Sequence, residues 1–204
     1  MSFFSVSLSV FSLVALTGVS QAAAPTPTTL DNLQAAFNGE SNANAKYVAF
    51  AARADEEGYH QVASLFRAAA SSEKIHSENH AKVIRELGAE PKAVIATPEV
   101  KTTRDNLAAA LSGESHERDT MYPEFIKTAE GAGLKTAVRT FKYAIAAEAH
   151  HAALYAEALA DLDGWREGTR TFYVCAVCGE TLTVRPDKRC PTCKTSEERF
   201  TVVS

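Results

Sequence analysis

The chain has 204 residues, 46% of them hydrophobic and 23% charged, with a net charge of −4. That is the profile of one medium or two small globular domains, and it excludes a disordered, highly charged tail protein. Its 21 basic and 25 acidic residues are intermixed, which leaves no basic field for a nucleic-acid backbone, and its four cysteines are too few and too local for a disulfide scaffold.

No charged side chain precedes Asp31. Residues 3–19 are apolar with interspersed serines and run into Ser-Gln-Ala-Ala-Ala before Pro25. Small residues there suit a signal peptidase, so residues 1–24 read as a signal peptide cleaved near Ala22 to Ala24. The mature chain is then exported, with the periplasm the expected compartment; a membrane anchor or a cytoplasmic chain is the alternative.

From Thr29 the apolar residues recur at helical spacing. Leu30, Leu33, Phe37, Glu40, Asn44, Tyr47, Ala51 and Ala54 form one stripe, which turns Glu40 inward. After a break at Glu57-Gly58, too short for anything but an antiparallel return, Val62, Phe66, Ala69, Glu73, His76, His80 and Val83 form a second. Residues 88–103 carry two prolines and no period, and read as a connection long enough to cross a bundle. The third stripe is Leu107, Ala110, Glu114, Glu117, Met121 and Phe125, with Pro123 expected to kink the helix. The fourth, after Gly131-Ala-Gly133, is Val138, Phe141, Ile145, Glu148, Tyr155 and Leu159, with His151 beside it.

The two helix pairs are copies. Asp31-Asn-Leu and Gly39-Glu40-Ser41 recur 74 residues later as Asp105-Asn-Leu and Gly113-Glu114-Ser115, and Glu73-x-x-His76 recurs 75 residues later as Glu148-x-x-His151. Two such hairpins joined by a long crossover predict a mainly α, ferritin-like four-helix bundle over 29–163 whose repeated polar residues meet near its middle. Five glutamates and two histidines on inward faces would be ruinous without cations. Two Glu-x-x-His motifs plus a Glu from each remaining helix match a carboxylate-bound di-iron or di-manganese pair. Tyr47 and Tyr122, within two turns of Glu40 and Glu117, are placed to donate to metal carboxylates. His80 reads as structural or supporting; His60, His116 and His150 fall off the stripes and read as solvated.

Beyond a linker, Cys175-x-x-Cys178-Gly179 and Cys190-Pro-x-Cys193 form two thiolate knuckles in a small β module over 172–204. Such knuckles enclose a tetrahedral iron or zinc, while an oxidising compartment would allow disulfides instead.

In order and spacing, Gly39-Glu40-Ser41, Glu73-x-x-His76, Gly113-Glu114-Ser-His-Glu117 with Met121-Tyr-Pro-Glu-Phe125, and Glu148-x-x-His151 resemble the rubrerythrin family, and the likeness extends over residues 29–204. It implies a non-haem di-iron centre bridged by Glu73 and Glu148, with Glu40 and Glu114 terminal and His151 on one iron. Glu117, whose counterpart in the first helix is Ala43, would bind when the centre is oxidised and yield to His76 when it is reduced. The resemblance makes the cysteine module rubredoxin-like, with a mononuclear Fe(Cys)4 centre. The implied activity is reduction of hydrogen peroxide to water with electrons from an external donor, a reductase or rubredoxin-type carrier. A ferroxidase and a non-enzymatic electron carrier are the alternatives. A homodimer, head-to-tail, is also expected: the fourth helix carries the linker about 22 Å from Glu148, so the chain's own cysteine module would start far from its di-iron site.

Overall fold

The computed structural model describes Met1 and residues 27–204; the expected signal peptide lies outside the described residues. Helices α1 (Thr29–Glu56) and α2 (His60–Glu86) form one antiparallel hairpin. Its entry is a capping box, Thr28 Oγ1 accepting from the Asp31 amide while Asp31 accepts from the Thr28 amide. The same Thr-x-x-Asp cap recurs at Thr102 and Asp105, where α3 (Thr103–His116) begins the second hairpin.

The third helix is not a single kinked rod. α3 gives way to a π-helical turn over Glu117–Met121, and α4 (Tyr122–Gly131) then begins with Pro123 in its first turn. The interruption therefore precedes the proline, and the sequence shows why. Glu40 and Tyr47 are seven residues apart in the first copy, whereas Glu114 and Tyr122 are eight apart in the second. One inserted residue widens the helix by a π turn, closed by the Tyr122 amide donating to the Glu117 carbonyl. Helix α5 (Lys135–Ala160) completes the bundle.

The crossover between the hairpins is extended and pinned. Gln34, Asn38 and Asn42, one turn apart on the outer side of α1, pair their amides with the backbone of residues 90–96. That satisfies polar groups a bare loop would leave to solvent. Inside, one aromatic cluster gathers Tyr47, Phe50, Phe66 and Tyr155, and another gathers His80, Tyr122, Phe125 and Phe141. Along α1, Leu33 and Ala36 belong to the second cluster and Tyr47 and Phe50 to the first. Glu40 lies between them, so a polar layer is enclosed by apolar ones.

The remainder is a three-stranded antiparallel sheet, β1 (Phe172–Cys175) flanked by β2 (Thr181–Leu182) and β3 (Phe200–Val203). Its hydrophobic centre consists of Cys175, Cys178, Cys190 and Phe200, with Tyr143 of α5 packed against them. So small a core needs a metal to hold it. Among the described residues no helix is long and apolar enough to cross a membrane.

Candidate metal centre

Glu40 on α1, Glu73 and His76 on α2, Glu114 on α3, and Glu148 and His151 on α5 are each at most 1% exposed and converge in the polar layer. Their ligand atoms form two groups, Glu40, Glu73, His76 and Glu148 on one side and Glu73, Glu114, Glu148 and His151 on the other, each with all atoms within 4.8 Å of one another. Glu73 and Glu148 belong to both groups. Every one of the four glutamates leaves one oxygen without a hydrogen-bond partner: Glu40 Oε2, Glu73 Oε1, Glu114 Oε2 and Glu148 Oε1. Four orphaned, buried carboxylate oxygens around two imidazoles are the donor set of a pair of cations.

Without metal, protons take the cations' place. Burial, together with the neighbouring carboxylates of Glu117 and Glu73, pushes Glu40 well above the usual carboxylate range, and burial with Glu73 and Glu114 does the same to Glu148. Burial acts upward on Glu73 too, but His151 and His76 outweigh it and hold Glu73 at about 2. Both histidines are raised by the carboxylates they face, against the effect of burial.

Each tyrosine serves the other half of the duplication. Tyr47 donates to Glu114 Oε1 at 2.5 Å, and Tyr122 donates to Glu40 Oε1. Both phenols are pushed well above their ordinary pKa, first by burial and then by these carboxylates, so each remains a donor. Glu117 stands outside both groups, in the π turn, only partly buried. Burial and the charges of Glu114 and Glu73 push it up to about 8.

The four cysteines form the second centre. Sγ of Cys175 and Cys193 are 3.7 Å apart, and those of Cys178 and Cys190 3.6 Å. A tetrahedron with metal–sulfur bonds of about 2.3 Å has edges of about 3.8 Å, whereas a disulfide needs about 2.0 Å. The thiols are free, so the spacing is that of a metal knuckle.

The rubrerythrin family model matches residues 31–159. Nigerythrin of Nitratidesulfovibrio vulgaris is 38% identical over 176 residues, 85% of this chain and 85% of the relative. The chain belongs to the rubrerythrin family. Rubrerythrin-2 of Clostridium acetobutylicum is 36% identical over 178 residues, 84% of this chain and 95% of the relative. The structure of nigerythrin in its fully reduced, all-ferrous state matches with a TM-score of 0.79 at 36% identity, covering 90% of this chain and 91% of that one. A Mycobacterium tuberculosis bacterioferritin matches at 0.62 and 21% identity, over 69% of this chain and 89% of that one, and shares the fold alone. As a rubrerythrin, the chain carries a di-iron site in its bundle and an Fe(Cys)4 centre in a rubredoxin-like module.

In this rubrerythrin the two centres meet within one chain, against the expectation that the module starts out of reach. From Glu148 to the end of α5 is about 18 Å. The linker turns back at Asp163–Trp165, and Phe172 to Gly179 alone can extend about 23 Å. The expectation treated the module as a compact body at the end of the bundle; its first strand is in fact the return path. The first knuckle docks on α2: Ser72 Oγ donates to the Gly179 carbonyl at 2.6 Å and Asn79 to the Val177 carbonyl at 2.9 Å.

The docked module also fixes the two histidines. His76 Nε2 lies 3.2 Å from the Cys178 carbonyl, which can only accept, so Nε2 carries a proton and Nδ1 faces the carboxylates. Thr181 Oγ1 donates to the Gly179 carbonyl and thus accepts from His151 Nε2 at 3.0 Å, leaving His151 Nδ1 on the cluster. Outer hydrogen bonds of this kind select the metal-binding tautomer.

Sequence reasoning missed two parts of this contact. His150, expected in solvent, is half-exposed but bonds through Nδ1 to Glu180, a fully buried carboxylate of the module that also accepts from Thr192. Gly179 has φ +80°, and a Cβ there would overlap His76 Nε2 and lie 2.9 Å from Ser72 Oγ. The Cys-x-x-Cys-Gly pattern was the one signal for it. His60 pairs with Asp55 at the surface, and His116 is exposed.

Proposed function

We propose that this oxidoreductase reduces hydrogen peroxide to water, drawing electrons from an external carrier through its cysteine module. One imidazole carries the argument: His76 presents Nδ1 to the di-iron ligands and rests Nε2 on the Cys178 carbonyl of the Fe(Cys)4 knuckle. A site that oxidises ferrous iron with oxygen has no need of an electron donor held against one of its ligands. When bound, the iron pair supplies the two reducing equivalents that cleaving an O–O bond demands, and the cysteine-bound iron restores them one at a time.

The chain's own residues position and gate that chemistry. Glu73 and Glu148, members of both ligand groups, would be the residues two ions share, Glu40 with His76 would hold one ion, and Glu114 with His151 the other. Glu117 and His76 would be alternative ligands on one side: His76 is in the cluster and Glu117 stands outside it. A neutral imidazole suits the ferrous ion and an added carboxylate the ferric one. Tyr47 and Tyr122 hold the terminal carboxylates through one oxygen and leave the other unpartnered, where it would be available to a metal ion. The uncharged stretch and small residues before Pro25 support export, which sequencing the amino terminus of the secreted protein tests.

Anaerobic stopped-flow mixing of the fully reduced protein with peroxide, and separately with oxygen, tests the activity. Peroxide should oxidise the di-iron site faster than oxygen by at least about ten-fold, or about 1.4 kcal/mol in barrier, followed by growth of the cysteine-iron colour as that ferrous iron gives up its electron. Faster reaction with oxygen, and turnover of added ferrous iron without a reductant, would establish the ferroxidase instead.

A further inference from the structure

We infer that Thr140, His80 and Tyr122 form a proton inlet leading from a surface cleft to the metal-binding carboxylate of Glu40. Reduction of peroxide consumes protons as well as electrons: HOOH + 2 e⁻ + 2 H⁺ gives 2 H₂O, the O–O bond breaking and each oxygen taking one proton. The polar layer is enclosed by aromatic clusters, so those protons need a path. The inference rests on the peroxidase reading for its purpose, while the path itself can be tested without peroxide.

The path is a chain of three hydrogen bonds. Thr140 Oγ1 is 3.1 Å from His80 Nδ1, His80 Nε2 is 3.2 Å from the Tyr122 hydroxyl, and Tyr122 donates to Glu40 Oε1. The last bond sets the direction of the others. Because Tyr122 gives its proton to the carboxylate, its oxygen accepts from His80 Nε2–H. His80 Nδ1 is then a lone pair and accepts from the Thr140 hydroxyl. All three donors point inward, to one oxygen of Glu40, whose other oxygen is buried without a hydrogen-bond partner.

The outer end opens on water. Thr140 lines a cleft of about 290 Å³ between α2, α5 and the first knuckle, together with the exposed side chains of Lys82, Glu86 and Arg139. A proton from cleft water onto Thr140 moves one proton at each link and delivers one at Glu40. His80 changes tautomer without becoming a cation, and reorientation of the ring and hydroxyls resets the chain. The second copy does not repeat the His80 relay. The counterpart of His80, 75 residues on, is Tyr155, whose buried hydroxyl lacks a hydrogen-bond partner. The His80 relay thus serves the side of the centre that holds Glu40 and His76.

Thr140→Val removes the outermost hydroxyl at nearly constant shape, and Thr140→Ser restores it. In the ¹⁵N-histidine-labelled chain loaded with zinc, solvent exchange of the His80 Nε2 proton should slow at least about ten-fold in Thr140→Val and recover in Thr140→Ser. In the iron-loaded chain, oxidation of the reduced centre by peroxide should slow by about ten- to a hundred-fold in Thr140→Val and show an altered solvent deuterium isotope effect. The cysteine-iron spectrum should be unchanged, reporting an intact fold. His80 exchange at the wild-type rate in Thr140→Val overturns the inlet whether or not peroxide is the substrate. A wild-type centre inert to peroxide defeats the peroxidase reading and leaves the exchange result to decide the path.

Discussion

Glu40, Glu148, His76, His151 and Glu117 all hold protons in the metal-free fold at pH values where the unfolded chain sheds them. A raised pKa in the folded state contributes stability that is lost as pH rises through it. Glu73 has the opposite shift, but its contribution is complete above its ordinary value of 4.5 and does not vary further. His80 also acts in the opposite sense, though only below its ordinary 6.5. Between pH 7 and 8, therefore, the metal-free protein should lose several degrees of Tm as pH rises. The iron-loaded protein should not, because metal displaces those protons and binds more tightly as pH increases. Thermal scans of chelator-treated and loaded protein across that range check both signs; a metal-free Tm that climbs with pH contradicts the proton assignment. The same reasoning separates the glutamates. Glu117→Ala removes a carboxylate outside both ligand groups and should retain two irons per chain while turnover falls. Glu73→Ala or Glu148→Ala deletes a member of both groups, leaves the rest uncompensated, and should lose the metals and stability together. Iron analysis and Tm decide, and two irons retained in Glu73→Ala would sink the bridging role.

Elements were legible wherever a repeat or a period carried them. The two hairpins and the inward faces of Glu40, Glu73, Glu114 and Glu148 follow from spacing alone. The π turn did not, although its cause is in the sequence: seven residues from Glu40 to Tyr47 against eight from Glu114 to Tyr122 is a one-residue insertion, and helical periodicity averages over it. The pinned crossover was equally hidden, since Gln34, Asn38 and Asn42 read as a solvated face until the chain they bind is known. Their absence from the second copy, where Ala108, Ser112 and His116 stand, was the available clue. The first knuckle shows the limit most clearly, because a Cys-x-x-Cys-Gly pattern announces a metal and says nothing of what the glycine touches. In Gly179→Ala a side chain is forced into a left-handed backbone and onto His76, a backbone cost of about 1–2 kcal/mol before the overlap is counted. The knuckle should lift, slowing reduction of the di-iron site by the cysteine iron while both metals stay bound. Transfer at the wild-type rate in rapid-mixing experiments would show that the approach at Gly179 is unimportant.

For the whole molecule the question is whether the two iron centres that work together belong to one chain. The linker bears on it through what it binds in its own chain. The Arg166 carbonyl accepts from the His60 amide at 3.1 Å, and its guanidinium donates to the Tyr59 hydroxyl at 2.9 Å and covers the Tyr59 ring at 4.2 Å. Gln61 donates to the Glu167 carbonyl at 2.7 Å, and Trp165 is 4% exposed in the bundle core. Arg170 stacks on Trp165 and pairs with Glu157 of α5. Residues 165–170 are thus held over the turn between α1 and α2 of their own bundle, and β1 leaves them already directed down α2 toward His76. Exchanging the module with a second copy would break these contacts or demand that they re-form on the neighbour. The expected consequence is a negative complementation result. Cys175→Ser chains should lack the donor iron and Glu73→Ala chains the di-iron pair, and each alone should be inactive with an external electron donor. After verified subunit exchange the mixture should stay inactive, because every intact module sits on a damaged bundle and every intact bundle carries a damaged module. Recovery of an appreciable fraction of wild-type activity would instead place the functional contact between chains, with 164–171 as the segment that crosses. Linking that outcome to geometry needs one control: Gly179→Ala introduced into the Glu73→Ala chain should abolish the recovery, since the knuckle donated in trans would meet His76 of the other copy in the same way.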